Sequence, residues 1–187
     1  MHHKYYARGI ILSRVPHGEG GAYLTILTEE LGLIRLRAQG VRRSGAKLAH
    51  ALPTLAESNF TLIRGREGWR LASAVLVENW HVRLKKESRE RAARVATLLL
   101  RLVNGESRET PLYGVFKEFI AALASGSLDE DAAECLAALR ILRLLGLDAG
   151  DVPGGLEGYS ETALEEATKE RALLIKRINR GIMASGL

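Results

Sequence analysis

Two segments of this 187-residue chain have residue types that invite phosphate chemistry: Gly18-Glu19-Gly20-Gly21 and the run Gly40–Lys47, GVRRSGAK. A dinucleotide fingerprint needs glycines at the turn, at the pyrophosphate and at the helix contact, and then a helix whose N-terminus holds the anion. Here Tyr23 stands where the third glycine would fall, and the segment around it, AYLTILT, reads as a strand. A hairpin turn is the simpler reading. A P-loop needs Lys and then Ser or Thr directly after its second glycine. In this chain Ala46 precedes Lys47 and Leu48 follows it, and no Asp occurs before Asp129 to hold a catalytic metal. Nucleotide hydrolysis has no machinery here, and the segment reads as a basic loop.

Other reactive constellations fail on spacing. The five histidines (His2, His3, His17, His50, His81) are scattered and Cys135 is the sole cysteine, so neither a zinc quartet nor an intrachain disulfide is expected. No GxSxG elbow is present, and the carboxylates of the first eighty residues sit singly or in turns rather than in the clusters that two-metal nucleases require. The sequence argues against an enzyme and predicts no cofactor.

What remains is noncovalent chemistry carried by cations. Arg35 and Arg37 fall on one face of a predicted strand; Arg42, Arg43 and Lys47 lie in the loop after it; Arg64, Arg66 and Arg70 border a predicted hairpin. Such a set can follow a phosphate backbone and release its counterions. Lys85, Lys86 and Arg89 begin a second basic strip that continues through Arg91 and Arg94, although Glu87 and Glu90 stand at i,i+4 spacings that would make it a salt-bridged, solvated face. Tyr23, Phe60 and Trp69 are candidates for base stacking, and each reads equally well as a core residue.

These residues need elements to place them. Ala7–Val15 is a short apolar run stopped by Pro16-His17-Gly18; Ala22–Thr28 is rich in β-branched and aromatic residues; Leu33–Ala38 alternates in and out from Ile34 onward. After the basic insert, strands resume over Ser58–Arg64, turn at Gly65–Gly68 and return through Trp69–Asn79. Three strands, an irregular insert and a hairpin is the element order of a five-stranded OB barrel. Beyond Trp80 the apolar period becomes helical, predicting helices over Val82–Val103, Leu112–Leu123 (after Thr110-Pro111), Asp131–Leu145 (capped by Ser127 with Glu130) and Thr162 to about Ala184. The expectation is an α+β chain: an OB-fold β-barrel over residues 1–80 and an all-α helical domain over 81–187.

The charge is unevenly spread. Residues 1–80 hold 11 Lys/Arg against 6 Glu and residues 81–128 hold 9 against 5, whereas residues 129–187 hold 7 against 11 Asp/Glu, within a net of +5. A polyanion partner for the first part and a different partner surface on the second fit this asymmetry. No apolar run approaches the ~20 residues of a membrane span, and MHHKYYARGIILSR lacks the layout of a signal peptide; a cytoplasmic, nucleoid-associated protein is expected.

GEGGAYLTILTEELGLIRLRAQGVRR (Gly18–Arg43) resembles the N-terminal signature of the RecO family: an acidic residue in a Gly-rich turn, an apolar strand, Thr-Glu-Glu-x-Gly, a second strand, then Gly and paired basic residues. The hairpin SNFTLIRGREGWRLASA and the helix CLAALRILRLLGL match its layout too. The resemblance implies an OB domain joined to a helical domain, and a DNA repair and recombination mediator that binds single- and double-stranded DNA and anneals complementary strands. It further implies partnership with RecR, contact with the C-terminal tail of single-strand-binding protein, and help in loading RecA. Many members carry a four-cysteine zinc module after Leu-Leu-Gly; here Asp148–Gly158 contains no cysteine, so this is expected to be a short, zinc-free form. The competing reading from the residues alone is an OB module for structured RNA or a protein complex.

Overall fold

A computed structural model describes residues 3–39, 51–103, 105–106 and 111–186. They form two compact units, Met1–Arg83 with Gly105–Glu109, and Leu84–Asn104 with Thr110–Leu187.

The first unit is a closed five-stranded barrel: β1 (Lys4–His17), β2 (Gly21–Thr28), β3 (Gly32–Ala38), β4 (Ala56–Gly65) and β5 (Gly68–Asn79), followed by the one-turn helix α1 (Trp80–Arg83). Strand order is β1-β2-β3-β5-β4, with β4 pairing back onto β1. All neighbours are antiparallel except β3 and β5, which run parallel. This is the OB fold expected of the sequence. Its core is the inward half of each alternating strand: Ile11, Leu24, Ile26, Ile34, Leu36, Phe60 and Leu62 are sealed from solvent, with Leu52 closing one side. β1 is longer than the apolar run suggests, because Pro16 sits near its end opposite Ala22, where a missing N–H is tolerated. A register shift between Ile11 and Ser13 bends β1 so that it can pair with both β2 and β4. Gly9 permits the closest approach there: a Cβ would lie 2.8 Å from the Leu27 carbonyl oxygen.

Glu57, fully buried in β4, is held by the Arg8 guanidinium at 2.6 Å and by the Trp80 indole N–H at 3.2 Å, so the start of α1 is pinned to the barrel wall.

The second unit contains α2 (Lys86–Leu102), α3 (Leu112–Ser125), α4 (Glu130–Leu144), α5 (Glu161–Lys169) and α6 (Arg171–Ala184). Helix α4 is the hub, packing on α2, α3, α5 and α6, and its Leu136, Leu139, Ile141 and Leu142 are fully buried. Three expectations about this unit are corrected. The helix predicted over Val82–Val103 is interrupted at Leu84-Lys85, and the one predicted from Thr162 to Ala184 is broken at Glu170 into α5 and α6. The N-caps differ as well: Asp129, not Ser127, accepts the Asp131 and Ala132 N–H groups, and Ser160, not Thr162, accepts that of Ala163. No helix among the described residues is long and apolar enough to cross a membrane.

Candidate nucleic-acid interface

The outward half of the strand alternation places the cations. On β2 and β3, Ala22, Leu24, Ile34 and Leu36 point inward, which turns Tyr23, Thr25, Arg35 and Arg37 outward. Register then aligns them across strands. Val15 pairs with Tyr23, Tyr23 with Arg37, and Arg37 with Arg70 through the parallel β3–β5 contact. One row further along, Thr25 pairs with Arg35. An aromatic ring and three guanidinium groups from three strands therefore share one outer face.

At the end of this face the turn between β1 and β2 forms a cleft of about 420 Å³, lined by His17, Gly18, Glu19, Gly20, Gly21, Arg37 and Gln39. The His17 and Tyr23 rings lie 4.4 Å apart at a tilt of 46°. Gly21 fits there because a Cβ would stand 2.9 Å from the His17 carbonyl oxygen. Arg37 is half-buried, and its Nε has no hydrogen-bond partner among the described residues. An unsatisfied buried donor costs about 1–3 kcal/mol, so an acceptor entering the cleft would be favoured. Glu19 is the one carboxylate in the lining and opposes anions at its edge.

The other predicted cations fall in different settings. Arg66 is exposed in the β4–β5 turn. Arg64 is tied to Glu106 in an ion pair and lies 4.8 Å above the Trp69 ring. Lys85 and Lys86 are exposed at the start of α2, and Arg89 is partly buried. Arg91 and Arg94 do not face solvent as an open strip: Arg91 binds Glu130 at 3.2 Å and Glu134 at 3.0 Å, and Arg94 binds Glu134 at 2.6 Å. These partners come from α4 rather than from Glu87 or Glu90. The loop cations Arg42, Arg43 and Lys47 lie outside the described residues.

Of the three stacking candidates, two belong to the core. Phe60 is sealed inside the barrel. Trp69 is buried against Tyr5, edge to face at 4.9 Å, and gives its indole N–H to Glu106 at 2.8 Å. Tyr23, 40% exposed, is the one that can meet a base. His17 and Gln39 were not singled out from the sequence; they enter because the β1–β2 turn folds over the end of β3.

OB barrels as a class bind oligonucleotides or oligosaccharides on the face of their second and third strands, and here that face is aromatic and cationic. The sequence model of the family "Recombination protein O N terminal" matches residues 1–80. The chain is 27% identical over 140 residues to the DNA repair protein RecO of an Exiguobacterium species, covering 74% of this chain and 56% of that protein. It is 29% identical over 150 residues to that of Gloeobacter violaceus, covering 79% and 57%. Against the RecO of Acaryochloris marina it is 36% identical over 80 residues, 43% of this chain and 27% of the relative. The first 80 residues thus match the RecO N-terminal family model, and the chain is similar to RecO proteins over a longer stretch. The two longer matches span little more than half the length of those relatives.

Proposed function

We propose that this protein acts in DNA repair and recombination by holding single-stranded DNA on the outer face of β2, β3 and β5. The observation that carries the reading is the cross-strand row Tyr23–Arg37–Arg70, with Arg35 beside it and the Arg37 Nε unsatisfied. Guanidinium groups at this spacing contact successive phosphates, and Tyr23 offers a sequence-tolerant surface for one base. Arg66 extends the path toward the β4–β5 turn, and Arg42, Arg43 and Lys47, next after β3 in the sequence, are proposed to add further phosphate contacts. Arg64, if DNA displaces its Glu106 partner, and separately Lys85, Lys86 and Arg89 on the helical unit are further cations proposed to engage DNA. None of these groups performs bond chemistry; the protein binds and positions strands.

In that role it would anneal complementary strands, work with RecR, meet the C-terminal tail of single-strand-binding protein and help RecA onto covered DNA. These proposals rest on the similarity to RecO proteins and are tested by pull-down with RecR and the tail peptide, and by annealing in the presence of single-strand-binding protein.

The direct test replaces Arg35, Arg37 and Arg70 together with Ala and follows binding of a labelled oligothymidine against salt. Each lost phosphate contact removes about 0.7 from the slope of log K on log salt, so the triple variant flattens it by up to about 2. A folded variant with an unchanged slope removes this face from the DNA path.

A further inference from the structure

Within the helical unit, the C-terminal half of α3, the Ser125–Asp129 connection and α5 enclose an open groove of about 1020 Å³. Its apolar lining is Ala121, Ala122, Leu128, Tyr159 and Leu164. Ala121 and Ala122 leave nothing above the α3 backbone but a methyl group, so another backbone can come close. Small-molecule pockets run to about 300–1000 Å³ and are mostly enclosed; a trough of this size suits a length of helix.

The polar residues at its rim are mainly acidic. Glu161 and Glu165 stand one turn apart on exposed positions of α5, Glu118 faces from α3, and Asp129 closes one end. Two are fixed in place: Glu118 accepts the Gly158 N–H at 3.0 Å, and Asp129 accepts the Ala132 N–H at 3.1 Å and the Thr168 hydroxyl at 3.0 Å. The single rim cation, Lys169, sits 3.9 Å from Glu165 and offsets one charge. The occupant must therefore be apolar and cationic.

Such an element exists in the same unit. Helix α6 buries Leu174 and Gly181 but exposes Leu173 (53%), Ile175 (39%) and Met183 (77%). Lys176 and Arg180, one turn apart, are exposed with no ion pair among the described residues. They lie on the side of α6 opposite Leu174, with Met183 one turn beyond Arg180. A helix of 14 residues is about 21 Å long. Both halves of a complementary contact are present on one chain, which is the condition for self-association.

We infer that the α3–α5 groove receives helix α6 of a second copy of this chain, with Lys176 and Arg180 against Glu161 and Glu165. The contact is independent of the DNA-binding face and uses none of its residues.

Sedimentation velocity between about 1 and 100 µM tests it, because mass action makes an association visible as a concentration-dependent mass. The expected result is a monomer–dimer shift that weakens as salt is raised. Glu161→Lys with Glu165→Lys, and separately Lys176→Glu with Arg180→Glu, each weaken association about tenfold or more. Mixing the two variants restores it, since each retains the half the other has lost, and this also shows that both are folded. A monomer at every concentration overturns the inference. So does association that survives both reversals, or a mixture that fails to restore it, since either would put a different surface in contact.

Discussion

At the scale of single residues, two arginines show what burial does to charge. Arg37 keeps an unsatisfied Nε at the edge of a cleft. Arg140, fully buried in α4, gives Nε to the Gly155 carbonyl at 3.0 Å and Nη2 to that of Glu157 at 3.3 Å, with the Tyr159 ring 4.6 Å from its guanidinium carbon, while its Nη1 has no partner among the described residues. Burial pushes the Tyr159 hydroxyl above the ordinary tyrosine range, so it stays protonated. Arg177 anchors the start of the same loop, bonding Asp148 at 2.5 Å and the Asp151 carbonyl at 2.8 Å. The loop over residues 148–158 is thus tied down by two guanidinium groups. The Arg177 hydrogen bond holds the Asp148 carboxyl below the usual carboxylate range. A lowered folded-state pKa contributes stability above the unfolded value of about 3.9 and loses it as pH falls through the folded value. Asp148→Asn should therefore lower the thermal midpoint at neutral pH and narrow the gap from the parent as pH drops below about 4. Melts across pH 2–7 check this; a constant gap would assign the loss to packing alone.

Among the elements, Asp129 illustrates a position that sequence reading narrowly missed. Ser127, Asp129, Ser160 and Thr162 all belong to the residue types that cap helices, and type alone does not say which will take the N–H groups. The choice falls to the chain entering the helix, and in both cases it lies two residues from the expected cap. Asp129→Ala removes the cap of the hub helix and its bond to Thr168, and should destabilise the protein by about 1–2 kcal/mol; chemical denaturation reads it, and an unchanged midpoint would show that water replaces the cap at no cost. The strands were legible nearly to their ends because alternation and Gly-rich turns are local signals. The break at Glu170 was not, since neither Gly nor Pro marks it and both α5 and α6 pack on α4. The candidate site divides the same way. Arg35 and Arg37 could be read as outward from Leu33–Ala38 alone. That Arg70 stands beside Arg37 depends on a parallel pairing across thirty-three positions of sequence, which no local pattern announces. Phe60 and Trp69 were ambiguous as aromatics always are, until the barrel's inward register claimed them.

Over the whole molecule, the excess of positive charge runs past the barrel: residues 81–128 hold 9 Lys/Arg against 5 Glu, and only residues 129–187 are acidic. The 11 Lys/Arg of residues 1–80 outnumber its 6 Glu, and Arg8 is already committed to Glu57 and Arg64 to Glu106. Of the nine others, Lys4 is exposed on β1 and Arg14 donates to the Leu52 carbonyl, and the cations proposed for a polyanion are those of β3, β5, the β4–β5 turn and the loop after β3. Arg42, Arg43 and Lys47 follow β3 in the sequence and are proposed to add phosphate contacts to those of the strand cations. Replacing these three with Ala should flatten the salt slope for single-stranded DNA by up to about 2, and combining them with the Arg35, Arg37 and Arg70 changes should add the two losses, because separate phosphate contacts release separate counterions. Additive slopes place both sets on one continuous path. If the loop variant keeps the parental slope while remaining folded, the strand leaves the barrel by another route, and the paired basic residues of the Gly18–Arg43 signature serve something other than DNA.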